Sequence, residues 1–167
     1  MRGTAAVLSQ CDLFIGNNSG PFHYAQAAGV PCITFFSLAL PERFIHDGRM
    51  VVPVQRDDLA CIDCMTRDFA GRNRTGCTND VDAACMSGLP LEAGIEALNR
   101  VFDEYLMDCP QRGQEGPRAR AFRTRLCMDQ AQRLLERGHG QRAARFLDHA
   151  ARLCRQIDTA QPAPQPV

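Results

Sequence analysis

The stretch CDLFIGNNSGPFHYAQAAGVPCITFF, Cys11 to Phe36, decides how this chain folds. Its two ends, DLFIG (12–16) and CITFF (32–36), are short, apolar on both faces and bounded by Gly and Pro, as buried parallel strands are. Between them PFHYAQAAG predicts a helix, because Pro21 suits a first turn and Gly29 suits the left-handed residue past the end. Strand, short helix, strand is a right-handed βαβ crossover. Upstream, residues 1–10 carry small and apolar side chains and finish a helix. Downstream, MVVPV (50–54) predicts a third strand, with Pro53 pushing it toward an edge.

In a parallel sheet, ligands bind where the carboxyl end of a strand opens into a helix. Here that turn reads Asn17-Asn18-Ser19-Gly20-Pro21. The first helical turn leaves N–H groups unpaired, and the helix dipole adds partial positive charge beside them. Ser19 can cap that end, Gly20 has no side chain to block a phosphate, and the two together make an anion site. His23 stands in the first turn, where its ring can donate to a phosphate oxygen or sugar hydroxyl. Asn17 and Asn18 tolerate the tight turn and offer amides. From spacing alone an ordinary loop and a structural histidine fit equally well. The repeated glycines of a dinucleotide fingerprint and the Lys of a P-loop are missing.

At 167 residues with 45% apolar content, the chain fits one ordinary domain, or a domain with an appendage. Its longest apolar run, VPCITFFSLAL, is about half of what a bilayer span needs. No basic region leads into an apolar one at the N-terminus, so a cytoplasmic location is expected. Zero net charge conceals a split: residues 1–110 hold 8 Arg against 14 acids, and residues 111–167 hold 11 Arg against 5. The basic tail intersperses its acids and is poor in aromatics, which argues against a nucleic-acid partner.

Residues 56–88 read as a long, polar, Cys-rich loop. A helix over 90–107 follows, with Leu91, Ile95, Leu98, Phe102 and Tyr105 recurring on one face. CPQRGQEGPRA (109–119) reads as a linker by its Pro, Gly and charge. Two amphipathic helices, roughly 118–137 and 141–157, hinge at GHG, and TAQPAPQPV (159–167) should be disordered. Gly138, Ala143, Leu147 and Ala150, with Ala131 and Leu134 upstream, resemble one tetratricopeptide-type unit. Such a unit cannot bury its own face alone and must dock on something. A plain helical hairpin is the competing reading.

Cys61-x2-Cys64-x12-Cys77-x7-Cys85 is the one arrangement with metal-ligand spacing. A structural zinc and four free thiols both fit, and the expectation is no metal and no cofactor. Arg72 and Arg74 of the same loop could reach a phosphate, although a solvated loop is the plainer reading. Cys11, Cys32, Cys127 and Cys154 read as small buried hydrophobes.

The longer stretch SQCDLFIGNNSGPFHYAQAAGVPCITFF, Ser9 to Phe36, resembles the donor-binding segment of the family 9 glycosyltransferases, the group that holds the ADP-heptose lipopolysaccharide heptosyltransferases. The likeness runs on through Pro41-Glu42-Arg43 and Cys61-Ile-Asp-Cys64 to Cys85-Met86, covering roughly 5–107. It implies an α/β fold: a partial Rossmann-like parallel sheet, the C-terminal part of a GT-B architecture, here followed by the helical hairpin. The division it implies is a nucleotide-sugar domain over 1–108, a linker over 109–118, the hairpin over 119–158 and a tail over 159–167. Asn18, Ser19, Gly20, Pro21 and His23 would then line the donor diphosphate and its sugar.

The chain departs from the family at Asn18, where the family has an acid, and at SLAL (37–40), where the family has a Gly-rich turn. Ser37 and Leu38 should therefore reshape the wall of the site. The resemblance places acceptor site and catalytic base in an N-terminal domain, and neither paired carboxylates nor a Ser-His-Asp set stands in for them here. The expectation is a donor-binding portion that is incomplete and not catalytic alone. Its partners would be a nucleotide sugar and a missing N-terminal GT-B domain, or a protein docked through the helical tail. The resemblance also allows peripheral inner-membrane association. The alternative from another class is a non-catalytic interaction module built on the tail and the Cys-rich loop.

Overall fold

Three short strands, β1 (Phe14–Asn17), β2 (Cys32–Phe35) and β3 (Val51–Val54), form one parallel sheet in the order β1-β2-β3. The computed structural model describes residues 2–46, 48–64, 77, 83–111 and 114–158. Phe14 stands opposite Cys32 and Cys32 opposite Val51, so Gly16, Thr34 and Pro53 lie in one row. Pro53 cannot donate to a ladder, and its strand is an edge strand, where only one side needs pairing.

The central strand β2 is buried at Cys32, Ile33 and Thr34. β1 corrects the expectation of a strand buried on both faces. It holds the other edge, its residues alternate between half-buried and exposed, and Ile15 is 51% exposed. The Phe14 ring lies close over Gly16: a Cβ there would come within 2.8 Å of it, so a larger residue would have to displace the ring.

Before the sheet lies α1 (Arg2–Leu8), and between β1 and β2 lies α2 (Gly20–Ala27), which packs on α1, β1 and β2. Gly29, at φ +75°, supplies the left-handed residue that ends α2 and lets the chain turn into β2. Phe22 of α2 meets Phe36 edge-on with ring centroids 5.8 Å apart. With Ile33, Ile45 and Val51 these fully buried side chains form the core under the helix, each contributing about 1.5–3 kcal/mol of apolar burial.

β2 passes to β3 through a 3-10 helix, Pro41–Arg43. Within the stretch expected to be loop from 56 to 88, Ala84–Ser87 form the short helix α3. Residues 65–76 and 78–82 of that stretch, Arg72 and Arg74 included, lie outside the described residues.

The next helix, α4 (Leu91–Glu104), forms where the sequence puts it, but it turns a different face inward. Ala97, Val101 and Tyr105, four apart, are the buried residues. Leu91, Ile95, Leu98 and Phe102 are exposed, Leu91 by 73%. Gly94 of the same helix lies against Phe35, whose ring is 3.3 Å from where a Cβ would stand.

The chain divides into two compact units, residues 1–99 and 100–167. In the second, a 3-10 helix (Leu106–Asp108) precedes α5 (Pro117–Glu136) and α6 (Gly140–Asp158), which pack on each other as a hairpin. Gly138, at φ +77°, reverses the chain, and the N–H of His139 closes on the Leu134 carbonyl at 2.8 Å.

Phe122, Cys127, Ala131 and Leu134 of α5 are buried, as are Ala143, Phe146, Ala150 and Leu153 of α6. Leu147 is 44% exposed, which corrects its placing among the contact residues, since it falls beside the inward stripe. The stretch expected as a linker is tied down where described. The Asp108 carboxylate accepts from the Ala119 N–H at 2.9 Å, and the Tyr105 hydroxyl donates to Glu115 at 2.6 Å. The tail 159–167 lies outside the described residues.

Candidate functional site

At the carboxyl ends of β1 and β2 a crevice of about 460 Å³ opens. The turn from β1 into α2 lines one side with Asn17, Asn18, Ser19, Gly20 and His23. Phe35, Ser37, Leu38 and Ala39, at and beyond the end of β2, line another. Phe44 and Met86 complete it. The residues singled out in the sequence thus converge, with one exception: Pro21 sits in the first turn of α2 but is not among the lining residues. Ser37 and Leu38, the departures from the family pattern, do stand in the wall.

The turn is built by backbone. The Asn18 N–H donates to the Phe35 carbonyl at 3.2 Å, extending the β1–β2 pairing one step past the strands. Ser19 takes the N-cap position with extended backbone, φ −147° and ψ 178°. Its side chain, however, does not cap the helix, contrary to expectation. The hydroxyl turns back and donates to the Asn17 carbonyl at 3.3 Å. No side chain therefore occupies the N–H groups of the first turn, the ones a bound anion would take. Gly20 adds to this openness, because a Cβ built there meets nothing within 4 Å.

His23 is the one titratable side chain among the lining residues. Its ring lies 5.2 Å from that of Phe22, 6.1 Å from Phe44 and 6.5 Å from His46, centroid to centroid. Burial, and then the charge of His46, hold the imidazole below its ordinary value. The segment carrying Phe44 and His46 is fixed from beneath by Gln26, which is 1% exposed. Gln26 Nε2 donates to the Phe44 carbonyl and Gln26 Oε1 accepts from the His46 N–H, both at 3.0 Å. Arg43 of the same segment is turned to Asp63, at 2.8 Å. Phe44, Met86 and His46 escape a sequence reading because they reach the site from distant parts of the chain, and Gln26 because its partners lie there.

The four loop cysteines are not joined in disulfides. Burial raises the Cys85 thiol, and the neighbouring Cys64, Cys77 and Cys61 raise it further. Among the described residues no group of three or more His, Cys, Asp or Glu is placed to hold a metal ion. Cys154, expected to be buried, is exposed, and Cys11 is half-buried.

A short parallel sheet with an open crevice at its carboxyl edge has the layout in which α/β folds take their ligands. The sequence model of glycosyltransferase family 9 (heptosyltransferase) matches residues 1–67, which hold the sheet, α2 and the β1–α2 turn. The match supports a glycosyltransferase-like function for this part of the chain, and it stops short of the 107 to which the likeness was traced. No curated protein and no solved structure matches the chain. Among the described residues no helix is long and apolar enough to cross a membrane.

Proposed function

We propose that the crevice binds the diphosphate of a nucleotide sugar, as the donor-binding portion of a family 9 glycosyltransferase resembling the ADP-heptose lipopolysaccharide heptosyltransferases. One observation carries this reading. The helix start beside Asn18, Ser19, Gly20 and His23 is uncapped by any side chain, opens into the crevice, and lies inside the family-matched segment. Its N–H groups and dipole favour a phosphate there, while His23 offers a ring donor to the same oxygens or to the sugar.

The reading stops at donor binding. Sugar transfer with inversion needs a base for the acceptor hydroxyl as well as contacts for the departing phosphate. The crevice lining supplies the latter, and no carboxylate stands among its residues. In this reading the base comes from elsewhere, and the chain does not transfer sugar through this crevice by itself.

Calorimetric titration with ADP-glucose tests the proposal. Binding is expected for the wild type and is expected to be lost in Gly20→Val. The added side chain meets no protein atom near its Cβ, so the variant keeps its fold while filling the phosphate space. Undiminished binding in a folded Gly20→Val protein overturns the reading.

A second reading, a non-catalytic interaction module, is favoured by the exposed apolar stripe Leu91, Ile95, Leu98 and Phe102 on α4, together with a hairpin of tetratricopeptide type. It calls for stoichiometric zinc on the cysteines and no nucleotide-sugar binding at all. The same titration, with a metal analysis, separates the two.

A further inference from the structure

We infer that His46 forms, with His23, a two-imidazole clamp on the anionic diphosphate, so that the ligand is bound together with a proton; this rests on the nucleotide-sugar reading above. A nucleotide-sugar diphosphate is a dianion, yet no Lys or Arg stands among the described residues that line the crevice. Arg43, in the neighbouring segment, is spent on Asp63 at 2.8 Å. The start of α2 offers about half a positive charge. Beside it stand two imidazoles, groups that can become positive and meet the rest of the ligand's charge.

The geometry suits a shared oxygen. The rings are 6.5 Å apart, centroid to centroid, and inclined by 67°. A charge-assisted contact spans about 2.7–2.9 Å from a ring nitrogen to a phosphate oxygen, so one phosphoryl group between the rings reaches both. His23 is already in the lining. His46 is exposed, and its main chain is anchored by Gln26 at 3.0 Å, so the ring is carried on a fixed support beside the lining residue His23.

The empty and filled crevices differ in proton affinity. Without ligand, burial and the nearby His46 oppose a charge on His23. Titratable or charged groups also stand on the surrounding elements: Arg2 of α1, Tyr24 of α2, Cys32 of β2, Glu42 and Arg43 of the 3-10 helix, and Cys85 of α3. Among all of these His46 is the one whose charge acts on the His23 ring. β1 carries no titratable side chain. A dianion placed between the rings reverses the sign of the local field, so protonation becomes favourable and binding takes up a proton.

The test is calorimetry with ADP-glucose between pH 8 and pH 6, in two buffers of different ionisation enthalpy. This ligand is a diphosphate diester, so its own charge does not change in that range. Wild-type affinity is expected to rise about tenfold as the pH falls, with net proton uptake. His46→Gln keeps the backbone N–H that Gln26 accepts, and should reduce that rise to less than about threefold.

Binding that is lost in Gly20→Val but is flat with pH, or keeps its full pH dependence in His46→Gln, overturns the clamp and leaves the donor-site reading standing. Absence of ADP-glucose binding at every pH, or binding that ignores Gly20→Val, removes the donor-site reading and the clamp with it.

Discussion

Gln26 and His46 are joined across a gap in sequence by a hydrogen bond of 3.0 Å, from the His46 N–H to the Gln26 side-chain oxygen. The other end of the same amide donates to the Phe44 carbonyl at 3.0 Å. A buried Gln thus reads the main chain of the segment that walls the crevice, much as a paired strand would.

Replacing Gln26 by Leu keeps the volume and removes both partners. The part-buried Phe44 carbonyl and His46 N–H then lose their partners, at a cost of about 1–3 kcal/mol in all. The variant should lose stability of that order in urea denaturation. It should also weaken ADP-glucose binding, because Phe44 and His46 lose their anchor. A Gln26→Leu protein as stable as wild type would show that the segment is held by its apolar contacts instead.

That bond marks where the sequence stopped being legible. Strand, helix and strand from Phe14 to Phe35 could be read because Gly16, Pro21, Gly29 and Pro31 punctuate them, and local punctuation needs no knowledge of the rest of the chain. The turn of the site was legible for the same reason. What failed depended on distant partners. Ser19 has the right chemistry and position for a cap, yet its hydroxyl goes to Asn17. Ile15 looks like a core residue until the sheet order makes β1 an edge. The large apolar stripe of α4 stays exposed, and Ala97 and Val101 are the buried residues in its place.

The depressed proton affinity of His23 has a consequence for stability. Burial first, then His46, lower its pKa in the folded chain relative to the unfolded one. Below about pH 6.5 the unfolded chain takes up a proton that the folded chain resists. Stability without ligand should therefore fall as the pH drops through that region toward the folded value. His23→Gln removes this part of the acid sensitivity. Urea midpoints at pH 7.5 and pH 5.5 should lie closer together in the variant than in wild type. An equal spacing would mean that His23 titrates alike in both states.

The thiols should divide by environment. Burial pushes Cys32 up to about 12, its Sγ–H lies 3.2 Å from the Val30 carbonyl, and the residue is fully buried. Thiolate is the reactive form, so Cys32 should resist iodoacetamide at pH 7.5 until the protein is unfolded. Cys77 and Cys154 are exposed and should label within the native protein. Peptide mass mapping after a short pulse reads this directly. Chelation by EDTA should leave ADP-glucose affinity unchanged, since the lining residues of the crevice include no cysteine. Early labelling of Cys32 would mean that the centre of the sheet opens readily.

The helical hairpin separates contact from periodicity. Leu134 and Ala143 are buried where α5 and α6 meet, at 1% and 0% exposure, whereas Leu147 lies beside the inward stripe. Leu134→Ala leaves a cavity and should cost about 2–5 kcal/mol. Ala143→Leu forces extra volume into a closed contact and should cost about 1–3 kcal/mol. Leu147→Ala, at an outward position, should stay within about 0.5 kcal/mol. Urea unfolding of the full chain, followed by far-ultraviolet circular dichroism, measures all three. The order of the effects matters more than their size. If Leu147→Ala were the most damaging, the face that a tetratricopeptide-type spacing picks out would be the packed one after all. The inward stripe of α6 would then have to be redrawn around Leu147 in place of Phe146.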